Sequence, residues 1–180
     1  MVDAIAVTGG IAEGKSTVLG YLQEAGLVTT SADAVASEVR QSEAVRAFLV
    51  SSGVEPAEKD AIRNRLGTDE QFRRALNHLM HPLIMQRLVD SGAQAIEVPL
   101  LFEACIHYQF REVWVVTCGR EEQLHRLVNR LGSVERAEQL LALQIPTRTK
   151  CAFAHRVIRT NQPELSVMRY VVECVIRDKP

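Results

Sequence analysis

Apolar residues fall along this chain in two kinds of run. Short continuous runs predict strands: Ala4-Ile5-Ala6-Val7-Thr8, Leu27-Val28-Thr29-Thr30-Ser31, Ala95-Ile96-Glu97-Val98, Val113-Trp114-Val115-Val116 and Arg156-Val157-Ile158-Arg159. The unbroken run at Val113–Val116 suits a central strand covered on both faces, with Trp114 in the core. Between these runs, apolar positions recur every three to four residues and predict helices. The sets are Val18, Leu19, Leu22 and Ala25; Phe72, Ala75, Leu76, Leu79 and Leu83; Leu124, Leu127, Val128 and Leu131; Val134, Ala137, Leu140 and Leu141; and Leu165, Met168, Val171, Val172, Val175 and Ile176. Alternation of the two implies an α/β fold, a parallel five-stranded sheet flanked by helices.

Punctuation sharpens the boundaries. Gly26 suits a helix stop, and Ser31 or Asp33 suits the cap of a following helix. Residues 34–67 read as short polar helices joined at Ser51-Ser52-Gly53 and Pro56. Thr68-x-x-Gln71 has capping-box spacing. Pro82 is expected to bend or end the next helix and to push His81 out of α geometry. Pro99 ends the third strand, Pro146 interrupts the helices after the fourth, and Pro163 fits the first turn of the last helix.

Composition narrows the classes. The chain has 180 residues, 47% of them hydrophobic, enough for one compact core with small inserted subdomains. A formal net charge of −1 gives no basic field for nucleic acid. No apolar span is long enough for a membrane, and no secretory leader opens the chain. The four cysteines (Cys105, Cys118, Cys151, Cys174) form no C-x-x-C pair. They read as buried free thiols in a reducing cytoplasm.

The chemistry concentrates at Gly9-Gly10-Ile11-Ala12-Glu13-Gly14-Lys15-Ser16, which fits G-x-x-x-x-G-K-[ST] between a strand and a helix. Loop amides and the helix N-terminus face nucleotide phosphates in such a turn. Lys15 reaches the β/γ-phosphates and Ser16 joins a Mg²⁺ shell. Glu97, near the end of the third strand, is placed to hold that metal or its waters. Asp33, past the second strand, sits either beside the loop or simply as a helix cap. His81 is either a ligand contact or structural. Leu100, Leu101 and Phe102 read as packing that can wall a cleft, and Glu103 as a solvated charge. Arg126, Arg130, Arg136, Arg148 and Lys150 make the helical segment after the fourth strand basic, as suits a lid over phosphates. Of these, Arg136 reads as a solvated charge. No N-K-x-D element supports a GTPase switch.

These residues together resemble the dephospho-coenzyme A kinase family. The likeness runs through Thr8-Gly9-Gly10-Ile11, Gly14-Lys15-Ser16-Thr17, Ala32-Asp33, His81-Pro82-Leu83-Ile84, Val98-Pro99-Leu100-Leu101-Phe102-Glu103 and Gln144-x-Pro146 with Lys150. The resemblance implies a P-loop kinase that moves the ATP γ-phosphate to the ribose 3′-hydroxyl of dephospho-coenzyme A, with Mg²⁺. It implies a nucleotide-binding core (1–33, 93–130 and 152–180), a helical acceptor-binding domain (34–92) and a lid (131–151). Asp33 matches the catalytic base, with Lys15 and Arg148 as catalytic cations. Gly10, Ile11, Ala12, Glu13, Gly14, Lys15, Ser16, Thr17 and Arg130 fall at ATP-binding positions. Asp33, His81, Leu101, Phe102 and Lys150 fall on the acceptor side, and Ser16 and Glu97 at the metal. The implied setting is a cytoplasmic monomer or weak homo-oligomer, without nucleic acid or membrane.

The chain departs from the family's pattern in several places. Ala12 stands for a usual glycine and Glu13 for a small residue such as serine, which brings an acid toward the phosphates unless it points outward. Ser31, Ser37, Leu131 and His155 replace an aspartate, an arginine and two acids. Thr160-Asn161-Gln162 replaces Asn-x-Gly, and Glu97 stands where many members carry aspartate. These departures keep two other readings open: a P-loop kinase with a changed acceptor, and an ATP-binding relative with little activity.

Overall fold

The computed structural model describes residues 1–177. The last three residues assigned to the nucleotide-binding core, 178–180, lie outside them. The described chain divides into two compact units, one of residues 1–31 with 92–177 and one of residues 32–91.

The first unit holds a five-stranded parallel sheet in the order β2-β3-β1-β4-β5. Its strands are β1 (Val2–Gly9), β2 (Thr29–Ser31), β3 (Ala95–Glu97), β4 (Phe110–Thr117) and β5 (Arg156–Arg159). The two long apolar strands, β1 and β4, pair at the centre, where both faces are covered and a continuous apolar run is stable. Helices α1 (Lys15–Glu24) and α9 (Glu164–Arg177) pack together on one face. They bury Val18, Leu22 and Val171 against Val7, Trp114, Val116 and Ile158. Trp114 is fully enclosed. Helices α6 (Arg120–Leu131), α7 (Val134–Ala142) and α8 (Thr147–Cys151) follow β4. Leu127, Ala137 and Leu141 form a separate small core there, with Ile11 and Ala12 of the glycine-rich loop against it.

The second unit is α2 (Ala32–Arg40), α3 (Glu43–Ser51), α4 (Lys59–Thr68) and α5 (Glu70–Asp90). Its helices bury Val35, Val39, Val45, Leu49, Ile62, Phe72 and Leu76. Phe48 and Phe72 stack at 5.7 Å, with the Arg65 guanidinium 4.8 Å above the Phe72 ring.

Three local expectations fail here. Pro82 does not end the helix: α5 runs through it for 21 residues, and His81 is helical. An internal proline costs about 3 kcal/mol, but Met80 and Leu88 are buried on either side of it and carry the helix across. The cap of α5 is Asp69 rather than Thr68: its carboxylate accepts the Phe72 N–H at 2.9 Å, while Thr68 ends α4. Only Cys118 and Cys174 are buried thiols; Cys105 is exposed and Cys151 half-buried. No helix among the described residues is long and apolar enough to cross a membrane.

Candidate active site

The glycine-rich loop leaves the C-terminal end of β1, at the centre of the sheet. Gly9 has φ +151°, and a Cβ there would collide with the Val116 carbonyl of β4. Gly14, at φ +88°, caps α1, with Thr160 side-chain atoms 3.3 Å from where its Cβ would stand. Ala12 has φ +63°. A left-handed alanine costs roughly 1 kcal/mol, which is the physical reason a glycine suits that position. Lys15 folds back over the loop, its Nζ 2.9 Å from the Gly10 carbonyl. Ser16 and Thr17 lie exposed in the first turn of α1, where the helix dipole favours an anion.

Two glutamines hold the loop through Ile11. Gln123 of α6 donates to the Ile11 carbonyl at 3.0 Å, and Gln144 accepts the Ile11 N–H at 3.0 Å. Glu13 does not point outward to solvent. It is 1% exposed, and its carboxylate accepts hydrogen bonds from Gly10 N–H, Thr117 and Thr147. Bonds to a charged acceptor contribute about 1.5–3 kcal/mol each, enough to offset much of the cost of enclosing it. Burial pushes the Cys118 and Cys151 thiols up, and the Glu13 charge adds to both. Both effects work against formation of the nucleophilic thiolate.

A cleft of about 780 Å³ is bounded by Gly10 and Glu13 of this loop and by residues of α6, α7, α8 and β5. Gly10, Glu13, Gln123, Gln144, Thr147 and Arg148 are among the residues lining it. Arg148 is exposed on α8, and Arg130 is exposed in the last turn of α6. Arg126 is turned inward: it pairs with Glu122 at 2.7 Å and donates to the Thr160 carbonyl at 2.9 Å.

Lys150 differs from the lid cation expected of it. It is 1% exposed, and its ammonium lies 2.8 Å from Glu103 Oε1, off the line of a hydrogen bond. Glu103 is correspondingly not a solvated charge; its Oε1 also accepts the Ile145 N–H at 3.1 Å. Leu101 is fully enclosed, and Phe102 packs against His107 and Phe153. Glu97 closes β3, in register with Val7 of β1 on one side and Ser31 of β2 on the other. In the helical unit, Asp33 is the second residue of α2 and exposed, and His81 is exposed in the middle of α5.

The structure thus gathers Gly10–Thr17, Glu97, Arg130 and Arg148 in the sheet-bearing unit and leaves Asp33 and His81 in the helical one. Sequence reasoning missed the supporting groups Thr117, Gln123 and Thr147. Gln144 and Thr160 entered it only as positions in the family's pattern.

A model of the dephospho-CoA kinase family matches residues 3–165. The chain belongs to the dephospho-CoA kinase family. Its members are ATP-dependent transferases of the final step of coenzyme A biosynthesis. A dephospho-CoA kinase of Shouchella clausii is 31% identical over 191 residues, covering 96% of this chain and 97% of that protein. One from Prochlorococcus marinus is 37% identical, with 86% of each chain covered. A crystal structure from Thermus thermophilus superposes with a TM-score of 0.81 at 24% identity, covering 99% of this chain and 98% of that one. It shares the fold.

Proposed function

We propose that this chain transfers the γ-phosphate of ATP to the ribose 3′-hydroxyl of dephospho-CoA, giving coenzyme A and ADP. The observation that carries the reading is the glycine-rich loop at the end of the central strand, with Lys15 folded over the Gly10 carbonyl, in a chain of this family. Amides from Ala12 to Thr17 take the β- and γ-phosphates, and Lys15 follows the charge as it shifts to the leaving oxygen. Arg148 and Arg130 add positive charge from the lid side. Asp33 accepts the proton of the attacking hydroxyl. Phe102 and His81 serve the acceptor, whereas Leu101 and the Lys150–Glu103 pair are supports within the sheet-bearing unit.

Ser16 and Glu97 would hold Mg²⁺. A hydroxyl in the first turn of α1 and a carboxylate ending the strand next to β1 form the hard-oxygen donor set this ion prefers. When bound, the ion neutralises charge on the β- and γ-oxygens.

The test is ADP release from Mg-ATP with and without dephospho-CoA, with the product identified by mass. Acceptor-dependent ADP and a coenzyme A product are expected. Asp33→Asn should cut kcat by about 10²–10⁴-fold while nucleotide affinity holds. Wild-type turnover in that variant would remove Asp33 as the base. A wild-type chain that phosphorylates other acceptors but not dephospho-CoA would overturn the substrate.

A further inference from the structure

Glu13 is the loop side chain that phosphate binding does not explain. The phosphates need the loop's amides and Lys15, and the family resemblance implies a small residue such as serine at this position. Here the position carries an enclosed carboxylate. Glu13 Oε2 accepts from Gly10 N–H and, at 2.6 Å, from the Thr147 hydroxyl. Its Oε1 accepts from Thr117 at 3.1 Å. Its backbone carbonyl accepts from Thr160 at 2.7 Å. All these donors are neutral groups. Thr117 ends β4, Gly10 follows β1, and Thr147 is the first residue of α8. One carboxylate therefore joins the sheet, the phosphate loop and the helix that carries Arg148. The junction leaves no space for a methyl at Gly10, whose Cβ would stand 2.8 Å from both Glu13 Oε2 and Thr147 Oγ1 and run into the Gln123 amide. Gln144, bonded to Ile11, ties down the chain on the other side of Pro146.

We propose that Glu13 is a positioning residue that latches α8 to the phosphate loop through Thr147, so that Arg148 is in place before nucleotide arrives. The inference rests on the phosphotransfer reading above. A cation held in advance loses less freedom as the transition state forms, so the latch acts on kcat more than on ground-state nucleotide affinity.

The experiment compares Thr147→Val, Thr147→Ser, Glu13→Ser and the Glu13→Ser/Thr147→Val double variant. Two measurements are made on each: steady-state kinetics, and hydrogen exchange at the Thr149 and Lys150 amides, which bond the Pro146 carbonyl. Thr147→Val and Glu13→Ser should lower kcat about tenfold with KM for ATP nearly unchanged, and both should speed exchange at α8. Thr147→Ser keeps the hydroxyl and should restore what valine loses. The double variant should fall no further than the worse single one, because both cut the same link. Wild-type kcat with unchanged exchange in Thr147→Val would overturn the latch, as would an additive double variant. If the wild-type chain makes no acceptor-dependent ADP, the reaction is misread; the exchange comparison then decides the latch, faster exchange in both variants sustaining it and unchanged exchange ending it.

Discussion

The sheet-bearing unit and the four-helix unit differ in how they use some of their ionisable side chains. In the first, Arg130 and Arg148 are exposed, but three other charges are engaged by the fold. Glu13 is enclosed by neutral donors, Lys150 is shut against Glu103, and Arg126 bonds a backbone carbonyl. In the helical unit the charges lie outside along the helices, as in Arg63–Asp60 and Arg74–Glu70, whose side chains are all more than half exposed. The difference teaches that charge count says little about function here. An inward charge fixes one segment against another, because leaving it unpaired is expensive. An outward pair is screened by water and fixes almost nothing.

The sharpest way to break this contrast is Lys150→Met. It leaves the Glu103 carboxylate without its cation. It should destabilise the fold by about 3 kcal/mol, the lower end for a broken buried pair, because the Glu103 side chain keeps 19% exposure. Pairing it with Glu103→Gln should recover most of the loss, which denaturant melts of the single and double variants would show. A loss within 0.5 kcal/mol, roughly the range of a surface change, would mean the inward pair is no different from the outward ones.

Asp69 lies between the extremes. The Phe72 N–H, and then Arg65, hold its carboxyl below the ordinary carboxylate value. A lowered folded value means that its stabilisation is fully present above the unfolded value and is lost as pH falls through the folded one. Asp69→Ala should therefore lower the melting temperature at neutral pH and show a smaller further loss on acidification than the wild type. Equal acid sensitivity in both would remove Asp69 as the titrating cap. Arg63→Ala is expected to have the smallest effect, a stability change under about 0.5 kcal/mol that shrinks further in salt. Thermal melts at low and high ionic strength would check it.

The parts of the molecule that could be read from its sequence are those whose partners lie nearby in the chain. Gly9, Gly14, Lys15 and Ser16 sit within one turn of backbone, so their spacing alone defines the loop. The sheet was legible because short apolar runs such as Val113–Val116 alternate with stretches of helical spacing. Glu13 was not, since its partners Thr117 and Thr147 are separated from it by 104 and 134 residues. Glu103 was misread as solvated for the same reason: Lys150 becomes its neighbour only in the folded chain. Pro82 does not end α5 because local propensity lost to the apolar face of that helix. The cap moved from Thr68 to Asp69 because α4 extends through Thr68 and leaves the next residue to start α5.

The strand order has a further consequence, for how this protein behaves in a crowded solution. A sheet with β1 and β4 at its middle has β2 and β5 at its margins, three and four residues long. A margin invites a second chain to add a strand in proportion to its length, flatness and hydrophobicity. Thr29-Thr30-Ser31 is short and polar, and Arg156-Val157-Ile158-Arg159 has a positive charge at each end. The longest and most apolar strands, which would make the stickiest templates for misassembly, are kept where no other molecule can reach them.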